Sequence, residues 1–124
     1  MDVPRRMAMP ANRSSAKKFD LSISKGVTLV DFNAPWCKPC RAQEPIINAL
    51  KKNYRGTAKL AILNIDENRE IAFRLGIQSI PTIIIYKDGK EMNRFIGLQN
   101  NDTLDKALQQ LVDSPAHGNS FSHR

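Results

Sequence analysis

The sequence predicts a single α/β domain, and three observations carry that reading. Short apolar runs that suit strands alternate with segments whose apolar residues recur at helical spacing. The first two runs lie far enough apart for a helix to cross between them, and the last two flank an Asp-Gly turn signal at Asp88 and Gly89. The resulting order is β-α-β-α-β-β-α. With 124 residues, 41% of them hydrophobic, the chain can bury one core, and it holds no apolar stretch long enough to span a bilayer.

The elements follow in order. Residues 1–18 form a basic extension, with Arg5, Arg6, Arg13, Lys17 and Lys18 set against Asp2, and Pro4 and Pro10 discourage a continuous helix there. It lacks the apolar core of about 7–15 residues that a secretory signal needs. Its Arg- and Ser-rich character has something of an organellar transit peptide, against which the prolines argue. The reading is a flexible arm on a cytoplasmic protein. The domain is expected over residues 19–113. Residues 19–26 give only a short first helix, with no convincing strand before it. Residues 28–32 read as a buried strand in which Asp31 interrupts Leu29, Val30 and Phe32. A helix begins around Cys37. From Pro39 onward Ala42, Ile46, Ile47, Ala49 and Leu50 mark its apolar positions, and Lys51, Lys52 and Arg55 suit the negative end of its dipole before Gly56. Pro45 deletes one backbone hydrogen bond inside that helix and should kink it.

Residues 59–65 form the second strand, and Asp66, Glu67 and Asn68 open a helix over residues 70–75 that Gly76 ends. Residues 83–86 and 91–96 pair as a hairpin about Asp88 and Gly89. Residues 103–112 close the domain as an amphipathic helix with Leu104, Ala107, Leu108 and Leu111 on one face. Residues 114–124 are read as a flexible tail.

The chemistry concentrates in Trp36, Cys37, Lys38, Pro39 and Cys40, which hold both cysteines of the chain. A disulfide closing so short a loop removes little chain entropy, so the spacing suits reversible oxidation better than stabilisation. A cysteine in a first helical turn faces unpaired N–H groups and the positive end of the dipole, both of which favour thiolate. Cys37 is therefore expected to be the exposed, attacking sulfur and Cys40, one turn on, to resolve the mixed disulfide. Lys38 adds a solvated cation, and Pro39 removes a donor where none is needed. Zinc would want more ligands than the two cysteines, and only His117 and His123, in the polar tail, remain, so no metal is expected. Trp36 could fill core, but directly before such a cysteine it suits shielding the sulfur or receiving a partner.

These pieces resemble the thioredoxin family. The similarity spans residues 19–112 and rests on Val30, Asp31 and Phe32; on Ala34 to Cys37 with Pro39 and Cys40; on residues 63–66; on Gly76 and Ile77; on Ile80, Pro81 and Thr82; and on Asp88, Gly89 and Gly97. The resemblance implies the thioredoxin fold, a central mixed sheet flanked by helices. It implies a cis Ile80–Pro81 bond facing the cysteines, with the backbone at Ile80 offered to an extended substrate and Trp36, Lys38, Pro39 and Gly97 around it. It also implies that Asp31 relays a proton to and from Cys40, a role that burial assists by raising its pKa. Thioredoxins typically carry Gly where this chain has Lys38, Trp where it has Asn33, Lys where it has Ile62 and Gly where it has Ser79. These positions bear on redox potential, rate and partners.

The function expected is thiol-disulfide oxidoreduction, reducing protein disulfides, recharged by a thioredoxin-reductase-like donor, with no cofactor beyond the cysteine pair and the protein acting as a monomer. The alternatives are a thioredoxin-fold subunit that binds partners with redox activity secondary, or a disulfide oxidant or isomerase. The formal net charge of +7 and the cluster Lys51, Lys52, Arg55 and Lys59 would attract polyanions. No aromatic residues interleave that cluster, so it reads as a solvated helix end rather than a nucleic-acid surface.

Overall fold

In the computed structural model, which describes residues 15–112, the runs predicted as strands all form, with no end moved by more than one residue. Helix α1 covers residues 15–22, followed by β1 (Val27–Asn33), α2 (Lys38–Asn53) and β2 (Ala58–Asn64). A single 3-10 turn (Ile65–Glu67) leads into α3 (Arg69–Arg74), and the chain ends with β3 (Thr82–Lys87), β4 (Lys90–Ile96) and α4 (Asn101–Val112). The boundary expected at residues 18 and 19 falls inside α1. The rest of the expected extension and the tail, with His117 and His123, lie outside the described residues.

The sheet order is β2-β1-β3-β4, with β1 parallel to β2 and antiparallel to β3, and β3 antiparallel to β4. This is a mixed sheet in a single domain. α2 supplies the crossover that two parallel neighbours require. β1 lies between two strands and is buried along its whole length, whereas β2 at one edge buries only Leu60 fully. Alternation along β1 divides the core in two. Val27 and Leu29 pack with Ile47 and Leu50 of α2 and Leu104 and Leu108 of α4, while Val30 and Phe32 face Phe19, Ile23 and Ile71 on the other side. Phe19 sits with its ring 6.2 Å from Phe32 and 5.9 Å from Tyr86. α1 therefore holds to the sheet through Phe19, with Ala16 beside it, and through Ile23 in the turn that follows.

Local chemistry explains the turns. Asp88 (φ 51°) and Gly89 (φ 87°) both adopt the left-handed backbone that a two-residue hairpin turn needs. The Asp88 carboxylate also accepts from Gly26 N–H at 2.8 Å, and Gly26 carbonyl accepts from Asp88 N–H at 2.9 Å, which ties the hairpin to the start of β1. α3 ends at Gly76 (φ 70°), where Ile77 N–H donates to Ala72 carbonyl and Gly76 N–H to Phe73 carbonyl, a paired closure that satisfies the last carbonyls.

α2 departs from expectation in one respect. Its buried face is Cys40, Gln43, Ile47 and Leu50, while Ala42 and Ala49 are exposed, because the 3.6-residue repeat that runs through the cysteine selects Gln43 instead. The helix continues through Pro45. Gln43 is fully buried, and its amide donates to Gln99 carbonyl at 3.0 Å and accepts from Gln99 N–H at 2.8 Å.

Candidate active site

The loop between β1 and α2 delivers the cysteines to the end of the sheet. Cys37 takes an extended backbone (φ −91°, ψ 117°) as the N-cap of α2, and its Sγ accepts from Cys40 N–H at 3.3 Å. A side-chain acceptor at that position satisfies one of the unpaired donors that open a helix, and here the acceptor is sulfur. Pro39 falls in the first turn, as expected. Cys37 and Cys40 form a disulfide with a Cα separation of 5.2 Å. The expectation of an exposed Cys37 needs correction: it is 6% exposed and Cys40 0%, because Ala34, Ile65 and Ile80 pack around the pair. Cys37 sits nearer the rim, and the difference in access is one of degree.

Opposite the pair, the Ile80–Pro81 bond is cis, and Ile80 carbonyl lies 3.8 Å from Cys37 Sγ. Pro81 is buried and its carbonyl accepts from Gly97 N–H at 2.8 Å, while Thr82 hydroxyl donates to Ser79 carbonyl at 2.7 Å. Gly97 (φ 94°) thus anchors the residue that follows the cis bond to the end of β4. Trp36 stands 66% exposed beside Cys37, with its indole N–H donated to Asp66 carboxylate at 2.8 Å. Lys38 and Pro39 are exposed on the same turn, and the flanking Ile96 and Leu98 are exposed on either side of Gly97. Asp66, Ile96 and Leu98 were not expected at the site from the sequence. Asp66 could be found only as an acidic residue at the end of β2, and the two aliphatic residues only as neighbours of Gly97.

Asp31 is fully buried in β1, between Ile62 on one side and Ile83 on the other, and neither carboxylate oxygen has a hydrogen-bond partner among the described residues. Burial first, and then the nearby Glu44 carboxylate, push its pKa up from 3.8 to about 7. The position expected to lack a cation, Ile62, is indeed the strand partner of Asp31. Glu44 is a site residue that sequence reasoning missed. It is half-buried one turn beyond Cys40 and accepts from the amide of the buried Asn33 at 3.3 Å. A carboxyl poised near neutral pH can take and return a thiol proton.

Comparison with known proteins agrees with this geometry. The family model described as Thioredoxin matches residues 11–110. The chain is 38% identical over 92 residues to a thioredoxin of Staphylococcus aureus, covering 74% of this chain and 88% of that protein. Among solved structures, it is similar to a thioredoxin of Fasciola hepatica (31% identity, TM-score 0.70, 80% of this chain and 93% of that one). It is also similar to the oxidized form of mitochondrial thioredoxin 3 of Saccharomyces cerevisiae (28% identity, TM-score 0.71, 77% and 90%).

Proposed function

The chain belongs to the thioredoxin family, and from that premise we propose how its cysteine pair works. The protein is a thiol-disulfide oxidoreductase that acts on disulfide-containing proteins through a redox-active Cys-x-x-Cys pair. In the reduced state Cys37 thiolate attacks one sulfur of a substrate disulfide. That bond breaks, the second substrate sulfur leaves as thiolate and takes a proton, and Cys37 remains joined to the substrate. Cys40 then passes its thiol proton to Asp31 and attacks Cys37 Sγ, releasing the other substrate sulfur as thiolate, which takes that proton from Asp31. The substrate has gained two electrons and two protons, and the chain is left with the Cys37–Cys40 disulfide.

The observation that carries this assignment is the position of Cys37 Sγ, which receives Cys40 N–H at the start of α2 and faces Ile80 carbonyl beside the cis bond. The donor and the helix dipole favour thiolate at Cys37. An extended substrate segment would lie along the backbone at Ile80 and Pro81, over Trp36, Lys38, Pro39 and Gly97. A thioredoxin-reductase-like donor would restore the dithiol with two electrons, and the protein would act as a cytoplasmic monomer. Among the described residues no helix is long and apolar enough to cross a membrane.

Insulin reduction tests the assignment. Cys37→Ser should abolish turnover, and Cys40→Ser should accumulate mixed disulfides with substrate. A Cys37→Ser chain that still turns over would overturn the roles. Partner capture undiminished in a chain whose wild type does not turn over would favour the partner-binding subunit. Equilibration with glutathione decides the direction of exchange, since a potential well above that of the glutathione pool would mark an oxidant or isomerase.

A further inference from the structure

Alternation places residues 27, 29, 31 and 33 on one face of β1. Val27 and Leu29 meet α2 and α4 on that face, and Asn33 reaches α2 through its hydrogen bond to Glu44. On α2, Glu44 lies four residues beyond Cys40, hence one turn along the same side of the helix. Asp31 and Asn33 on the strand thus face the side of α2 that carries Cys40 and Glu44, and Glu44 both holds Asn33 and acts on Asp31 through its charge. Among the described residues, the other groups that flank these positions bring no compensating cation. The strand partners of Asp31 are isoleucines, Lys38 and Arg41 of α2 are exposed with Arg41 donated to Pro35 carbonyl, and Asp105 of α4 is engaged by Tyr54 hydroxyl.

We propose that Glu44 is a positioning residue for disulfide exchange: held by Asn33, its carboxylate sets the proton occupancy of Asp31 and, through it, the pH at which Cys40 can be deprotonated. This rests on the relay role of Asp31 given above. A like charge across a poorly solvated gap disfavours the ionised form of a buried carboxyl. Raising the basicity of Asp31 brings it nearer to a thiol's own range of about 8.5, which makes the proton transfer from Cys40 less uphill. Glu44 thus acts in the direction opposite to that of a lysine at position 62.

The experiment follows Asp31 in the full, oxidised chain by carboxyl carbon NMR, and follows resolution of the mixed disulfide across pH in the reduced chain. Glu44→Gln, which keeps an acceptor for Asn33, should move the Asp31 midpoint to lower pH by about half a unit or more, and the resolution profile with it. Asn33→Ala should move both the same way by less, since Glu44 is then free to turn into water. In an Asp31→Asn background Glu44→Gln should leave the profile unmoved. An unmoved midpoint in folded Glu44→Gln and Asn33→Ala chains would overturn the proposal, as would a profile shift that persists without Asp31. A midpoint that moves while the profile stays would overturn it by a different route, through failure of the relay itself.

Discussion

Burial opposes ionisation of a carboxyl group, and Asp31, fully buried with no hydrogen-bond partner among the described residues, has its pKa pushed up to about 7. Its folded pKa exceeds the unfolded one, so the folded state binds the proton more tightly. The resulting penalty is absent below pH 3.8, grows as pH rises, and is complete above about 7. Asp31→Asn should therefore stabilise the protein by roughly 2–4 kcal/mol at pH 8 and by little near pH 4, while slowing disulfide exchange. Urea unfolding at the two pH values, paired with insulin-reduction rates, checks both parts. Equal effects on stability at both pH values, or an unchanged rate, would show that Asp31 is a structural residue only.

At the scale of elements, α2 reaches beyond its own core contacts through Gln43. The two-way hydrogen bond from Gln43 to the backbone of Gln99 fixes the connection between β4 and α4, two residues past Gly97. Gln43→Ala leaves the partly buried N–H and carbonyl of Gln99 without this partner and should cost about 1–3 kcal/mol. It should also slacken the Gly97 rim and raise KM for a protein disulfide more than it lowers kcat. Unfolding curves and steady-state kinetics measure the two effects, and a KM unchanged in a destabilised variant would confine Gln43 to stability. Such a residue is hard to read from a sequence. Between Ala42 and Glu44 it resembles solvent-facing helix, and its partner lies 56 positions away. Glu44 and Asp66 escaped for the same reason, since strand pairing and chain reversal bring Asn33 and Trp36 to them. By contrast the strands, the Asp88–Gly89 turn and the cysteine pair were legible because their signals are local. α1 was clipped because Lys17 and Lys18 read as part of a basic arm, although Ala16, Phe19 and Ile23 keep a helical spacing.

For the molecule as a whole, the consequential feature is the outer side of β2, which has no strand partner among the described residues. A free row of backbone donors and acceptors is a template for another copy's strand. Lys59 on that strand and Lys51, Lys52 and Arg55 at the end of α2 line a groove of about 590 Å³ beside it. Two copies meeting edge to edge would bring these cations together, and the formal net charge of +7 adds to their repulsion. That barrier weakens with salt, because the screening length falls from about 30 Å at 0.01 M to about 3 Å at 1 M. Sedimentation velocity should show the oxidised chain monomeric in dilute buffer and increasingly self-associated near 1 M salt, with Lys59→Glu shifting the onset to lower salt. A sedimentation coefficient independent of salt in both chains would sink this expectation. In colloidal language, the particles are kept apart by a diffuse ionic cloud, so the ions in the buffer, more than the quality of the core, govern how concentrated a clear solution of this protein can be.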